Sequence, residues 1–231
     1  MRSLVKSLCP PALWNGAQRL RNRVARSAPV IRHADGPDNS VFTDPNLVRV
    51  LDRWGEGNAW TEIQLIMAGR TGRVLDVACG LGRAINILRQ FPGLDVHGCD
   101  FSKTLIDKAL ESGIPRDRLA VIDATDMRCY SDNSFNWGYT LGSLHYFDDE
   151  GIDKCLRECF RVVSGSTFHM IPADRKNRDM GWIRTSQSVQ NNSLSWWERK
   201  FRNVYPHVQI LDSTWADDLS VGKWMVCSKN V

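Results

Sequence analysis

Short apolar runs alternate along this chain with stretches in which apolar residues recur every three or four positions. Val74, Leu75 and Val77 make Arg73–Val77 read as a short buried strand. Gly80 and Gly82 turn the backbone, and Leu81, Ala84, Ile85 and Leu88 then follow at helical spacing. Val96–Asp100 and Leu119–Ile122 are the next strand-like runs. Between them Ser102 is placed to cap a helix over Lys103–Ser112, with Leu105, Ile106, Ala109 and Leu110 inward. Phe135–Leu141 reads as a fourth strand and Ser166–Ile171 as a fifth. The helix between them begins at Asp148-Asp149-Glu150, where the dipole favours negative charge, and buries Ile152, Cys155, Leu156, Cys159, Phe160 and Val163. Ser193–Val204 reads as a helix carrying Trp196, Trp197 and Phe201, and Val208–Leu211 with Trp224–Cys227 as a closing antiparallel pair. Repeated β–α units predict an α/β fold with a mostly parallel sheet and helices on both faces.

The chain ahead of this core has a different texture. Residues 33–44 are rich in turn formers and read as a loop. Asp44-Pro45 starts a helix with Leu47, Val48, Val50, Leu51 and Trp54 on its buried stripe, ended by Gly55 and Gly57. Asn58 is placed to cap a second helix through Trp60, Ile63, Ile66 and Met67. Residues 1–32 carry seven Lys or Arg and no acid, with Leu13, Trp14, Ala17, Leu20 and Val24 near one helical face. Three readings compete for this basic extension: a helix packed on the domain or without fixed structure, a basic helix touching anionic lipid, and a mitochondrial transit peptide. The organisation expected is an extension over 1–32, then one domain over 33–231 whose residues 33–70 form a helical cap.

Strand, glycine turn and helix open a nucleotide-binding βαβ unit. A dinucleotide fingerprint needs a third glycine where Ile85 stands, and no Gly-Lys-Ser/Thr loop is present. What the unit does have is acids at strand ends: Asp76, then Asp100, where a carboxylate can accept both ribose hydroxyls, then Asp123. Ligands of open α/β sheets bind beyond the carboxyl ends of the strands, so these three and Leu141-Gly142-Ser143 fall at one rim.

In order and spacing, these motifs resemble a class I S-adenosylmethionine-dependent methyltransferase of the "type 11" group. The resemblance runs from about Thr71 to Val231. Asp76-Val77-Ala78-Cys79-Gly80-Leu81-Gly82 resembles the first motif, with Ala78 in place of a glycine. Asp100 matches the second acid, Asp123-Ala124-Thr125-Asp126-Met127 the third motif, and Ser134-Phe135-Asn136 the fourth, with Asn136 where an aspartate is usual. Leu144-His145-Tyr146 resembles the family's Leu-His-His tail. The resemblance implies a Rossmann-like, mostly parallel seven-stranded sheet with a C-terminal antiparallel hairpin. It implies S-adenosylmethionine as cofactor, contacted by Asp76, Ala78, Gly80, Gly82, Asp100, Phe101, Asp123, Ala124 and Leu141. It also implies that the helices before the core shape the acceptor pocket, which makes His33, Asp38 and Trp60 candidates for substrate contact beside surface or packing roles.

The rest of the chemistry is thinner. His145 follows the fourth strand and is the candidate proton acceptor, with pocket lining as its other reading. Tyr146 and Tyr139 are candidates for positioning the acceptor. Pro172–Asn192 is long for a loop, and Arg175, Lys176, Arg178 and Arg184 interleave there with Trp182. It reads as a solvated loop, or as a lid holding an anionic or sugar-like acceptor through Arg175 and stacking it on Trp182. The expected activity is methyl transfer to a small molecule or glycan, on oxygen. The alternatives are a nitrogen or carbon acceptor, such as a quinone-precursor ring, and a cofactor-binding module without turnover.

Composition narrows the field only a little. At 231 residues, 42% hydrophobic and with nine tryptophans, the chain has material for one well-filled core. A net charge of +4 is slight, and no Asp-Pro-Pro-Tyr or Pro-Cys motif of DNA methyltransferases occurs, so nucleic acid is not an expected partner. None of the seven cysteines forms Cys-x-x-Cys. Cys155 and Cys159 read as buried thiols, no metal is expected, and the cytoplasm is the expected compartment, or mitochondria if residues 1–32 are a transit peptide.

Overall fold

The computed structural model describes residues 32–43, 58–185 and 187–230. The predicted helix from Asp44 to Trp54 and the extension before Arg32 lie outside them. In chain order the elements are β1 (Arg32–His33), α1 (Ala59–Met67), β2 (Gly72–Val77), α2 (Arg83–Leu88), β3 (Leu94–Asp100), α3 (Lys103–Glu111), β4 (Leu119–Val121) and β5 (Phe135–Leu141). They continue with α4 (Asp149–Val162), β6 (Val163–Asp174), β7 (Trp182–Arg184), β8 (Ser188–Gln190), α5 (Leu194–Arg202), β9 (His207–Ala216) and β10 (Ser220–Ser228).

Among the described residues, seven strands form one sheet in the order β4-β3-β2-β5-β6-β10-β9. The pairs β3–β4, β2–β3, β2–β5 and β5–β6 are parallel. β10 runs antiparallel to both β6 and β9. This is the Rossmann-like sheet with an antiparallel C-terminal hairpin that the motifs implied. Successive strand residues point to opposite faces, and the core divides accordingly. Leu75 and Phe135 pack with Ile152 and Leu156 of α4 and Trp197 and Phe201 of α5 on one face. Val74 and Tyr139 pack with Ile63 of α1, Ile85 of α2 and Ile106 of α3 on the other.

Three helix starts use side-chain caps. Ser102 Oγ accepts from Leu105 N at 3.3 Å, Asp148 Oδ1 from Gly151 N at 2.7 Å, and Ser193 Oγ from Trp196 N at 3.1 Å. Asn58 makes no such bond to α1. Its Nδ2 donates instead to Thr214 Oγ1 at 2.8 Å, tying the helix start to β9.

The largest departure from the sequence reading is the segment Pro172–Asn192. Pro172–Asp174 continues β6, because β10 pairs with it as far as Ser220 opposite Asp174. β7 and β8 then form an antiparallel hairpin, and β1 adds as a third strand, Arg32 opposite Arg184. A buried polar network fixes this insert. Asp174 Oδ1 accepts from Asn191 Nδ2 at 2.9 Å and from Arg178 Nη2 at 3.0 Å, and Gln190 Nε2 donates to Phe147 O at 3.1 Å. Such a network has no apolar periodicity to read, which is why the segment looks like a loop.

Candidate active site

Strand order reverses between β2 and β5, the switch point where ligands of such sheets bind. A cavity of about 350 Å³ opens there. Asp76, Ala78, Gly80, Asp100, Phe101, Asp123 and Leu141 line it, and Tyr146 lies further along its wall.

The turn after β2 explains the glycine pattern. Ala78 (φ 56°), Gly80 (φ 54°) and Gly82 (φ 66°) all sit in the left-handed region. A side chain at Gly80 would project into open space, so the bare backbone there leaves room for a ligand to approach closely. At Gly82 a Cβ would collide with the Ile114 side chain. Gly82 therefore serves the packing of α2 against α3 and is not itself at the cavity. Ala78 holds its conformation with a Cβ attached, at a cost of order 1 kcal/mol or more.

Asp100 ends β3 and braces this turn. Its Oδ2 accepts from Gly80 N at 2.9 Å and its Oδ1 from Ser102 N at 2.9 Å. Burial raises its carboxyl above the ordinary range, against the pull of those two N–H groups. Asp76 is raised further, first by burial, with the Tyr139 hydroxyl lowering it and the Asp100 charge raising it. Tyr139 pairs with Asp76 across β2–β5, but its hydroxyl lies outside normal hydrogen-bond geometry, so its help is weak. Asp123 Oδ1 accepts from Thr125 N and Thr125 Oγ1, both at 2.8 Å, which closes the loop after β4.

The roof of the cavity comes from a stretch that reads as a featureless loop. Pro37, Asn39 and Phe42 line it. The Phe42 ring meets Phe101 edge-on at 5.5 Å and Tyr146 at 5.2 Å, and Phe42 O accepts from Ser102 Oγ at 3.0 Å. The roof is fastened to the hairpin insert by Arg184 Nη1 to Asp38 Oδ2 at 3.1 Å and by Ser188 Oγ to Gly36 O. Phe42 sits in a turn-rich loop with no apolar period that would have marked it. Trp60 of α1 also lines the cavity. His33 is exposed, and Asp38 is engaged by Arg184 and Ser40.

Other candidates are not brought to the cavity. His145 is packed behind its rim with its ring 4.1 Å from that of Tyr146, and Nδ1 has no partner. Burial pushes it down to about 3, so it is neutral at physiological pH and a weak proton acceptor. Ala124 is buried beside Asp123 in the apolar core. Arg175 Nη2 donates to Asp217 O at 2.6 Å, Arg178 pairs with Asp174 and Arg184 with Asp38, while Trp182 belongs to the small sheet. Arg175 and Trp182 are thus parts of a built scaffold and do not form a lid over the cavity.

A glycine turn and a strand-end carboxylate thus meet at the switch point of this sheet. Residues 74–165 match the family model described as a methyltransferase domain. The match spans less than half of the chain and makes this segment similar to methyltransferase domains. Three solved structures share the fold. One is from the Haloferax volcanii complex of the Trm112 methyltransferase activator with a methyltransferase: 16% identity, 85% of this chain and 99% of that one, TM-score 0.64. The second is Burkholderia thailandensis 1,6-didemethyltoxoflavin-N1-methyltransferase with its substrate and S-adenosylhomocysteine: 16%, 87% and 95%, TM-score 0.62. The third is Streptomyces coelicolor geranyl diphosphate C-methyltransferase with Mg2+, geranyl diphosphate and S-adenosylhomocysteine: 17%, 88% and 92%, TM-score 0.58.

Proposed function

We propose that the protein transfers a methyl group from S-adenosylmethionine to an oxygen of a small-molecule acceptor. The observation that carries this reading is the continuity of one cavity: it runs from the Gly80–Asp100 cradle past Leu141 to the wall of Ser143, Tyr146 and Phe147. When bound, the cofactor supplies an electrophilic methyl on a sulfonium. Asp100 would hold the ribose hydroxyls and Gly80 would allow close backbone approach, with Asp76 beneath the turn. Phe42, Trp60 and Tyr146 would exclude water and align the acceptor, an effect that reaches ~7–11 kcal/mol in well-oriented reactions. His145 sits behind the wall, so a hydroxyl proton would leave to a carboxylate at the cavity such as Asp148. Methylation on nitrogen or carbon is the second reading, favoured by the Burkholderia and Streptomyces neighbours, whose names record those acceptors.

The test has two stages. Titration with S-adenosylhomocysteine should show saturable one-site binding. Incubation with S-adenosylmethionine and pooled metabolites should then give a product one methyl heavier, whose fragmentation places the methyl on oxygen. No binding would end the cofactor assignment for this site, and tight binding without turnover on any pool would favour a non-catalytic module.

A further inference from the structure

We infer that the acceptor is a planar aromatic compound without negative charge, bound against the roof side of the cavity. This rests on the methyl-transfer reading above and names the substrate class that the same site would take.

Three observations carry it. The first is the wall. Phe42, Trp60, Phe101 and Tyr146 reach the cavity from four separate parts of the chain. Phe42 stands edge-on to both Phe101 and Tyr146, with interplanar angles of 82° and 90°. Rings set edge-on to one another leave faces and edges for a further flat ring to contact, and such contacts add roughly 0.5–1.5 kcal/mol each beyond area burial.

The second is the charge around the cavity. Five acids line it, Asp76, Asp100, Asp123, Asp148 and Glu150, against two bases, Arg83 and Lys154. Lys154 Nζ and Glu150 Oε1 pair at 2.7 Å and offset each other, which leaves Asp76, Asp100, Asp123 and Asp148 against Arg83. A sulfonium cofactor is welcome in that field, and an anionic acceptor placed beside it is not.

The third is where the insert's arginines go. Three of the insert's cations, Arg175, Arg178 and Arg184, could have recognised a carboxylate or phosphate. Each is committed to the scaffold, to Asp217 O, Asp174 and Asp38 respectively.

The probes are 4-methylphenol, tyramine, 4-hydroxyphenylacetate and methyl glucoside, each titrated into protein saturated with S-adenosylhomocysteine. The phenol and the amine should bind at least about tenfold more tightly than the carboxylate or the sugar, a difference of ~1.4 kcal/mol. Trp60→Ala should weaken 4-methylphenol about tenfold while S-adenosylhomocysteine binds as before, and Trp60→Phe should restore most of the loss. Equal or tighter binding of the carboxylate or the sugar overturns the inference. So does the absence of binding by either ring compound at millimolar concentration, or a Trp60→Ala effect that falls equally on both ligands. Failure of the unmodified protein to bind S-adenosylhomocysteine is a different result, and removes the underlying reading instead.

Discussion

Two groups of carboxylates in this protein differ sharply in how well they are satisfied. Asp174 at the end of β6 has a fully buried side chain, yet it accepts from Arg178 twice, from the backbone of Lys176 and Arg178, and from Asn191. Burial acts against its ionised form, but the Arg178 and backbone hydrogen bonds outweigh it and hold the carboxyl below the ordinary range. Glu62 on α1 is similar: Ser213 Oγ, Thr214 N and Thr214 Oγ1 donate at 2.6 Å and Trp224 Nε1 at 2.7 Å. It too lies below its ordinary range although burial opposes this. Asp76 and Asp100 are buried as deeply as Asp174 but have fewer donors, and both are pushed up by burial. The saturated acids hold elements together. The under-satisfied pair lines the cavity at the switch point.

The comparison breaks first, and most severely, at Asp174. Asp174→Ala leaves the Arg178 guanidinium and several buried N–H groups without their acceptor. Chemical denaturation should show a loss of roughly 3–5 kcal/mol, while a truly spectator acid would show less than 1. Asp100→Asn should do the reverse: S-adenosylhomocysteine affinity should fall at least about tenfold, ~1.4 kcal/mol, with a much smaller change in melting temperature. An unchanged dissociation constant would take Asp100 out of the site. The two groups should also respond to pH with opposite sign. Glu62 and Asp174 have depressed values, so their stabilisation is present above the unfolded carboxyl value of about 4 and is lost as pH falls through the folded values. Asp76 and Asp100 have raised values, so their favourable contribution is present below about 4 and is lost as pH rises through the folded values. Asp76→Asn should therefore gain on the unmodified protein as pH climbs from acid to neutral, measured as melting temperature without ligand. The smallest effect is at the turn between them. Ala78→Gly relieves a left-handed alanine and should raise stability by about 1 kcal/mol; a loss would show that the methyl group packs better than its backbone strains.

Much of this was legible along the chain, and the legible parts share a cause. β2 and β5 announce themselves by runs of consecutive buried residues, and α4 by a stripe at helical spacing. Ser102 announces itself because caps are local, while Asn58, which reads the same way, makes no cap bond because Thr214 holds its side chain. The strand-end acids and glycines are readable because the turn after β2 and the ends of parallel strands fall at short, regular spacings. What was not legible is held by partners far away in sequence. The β7–β8 hairpin is completed by Arg32–His33, and β6 is lengthened by a strand that arrives more than forty residues later. Arg175 and Trp182 looked like ligand contacts because arginine and tryptophan often are. Only the structure reveals that Asp217 O occupies one and a three-stranded sheet the other. Phe42 escaped because one aromatic residue has no period.

The span that matches the methyltransferase model ends at residue 165 and begins at 74, so neither Pro37–Phe42 nor the β7–β8 hairpin belongs to it. Those two outlying pieces are nonetheless stitched to each other through Asp38–Arg184, Gly36–Ser188 and the β1–β7 pairing. Grafting one of them alone from a relative would strand half of each stitch. Exchange of either piece would thus require two distant stretches of gene to be inherited as a matched set.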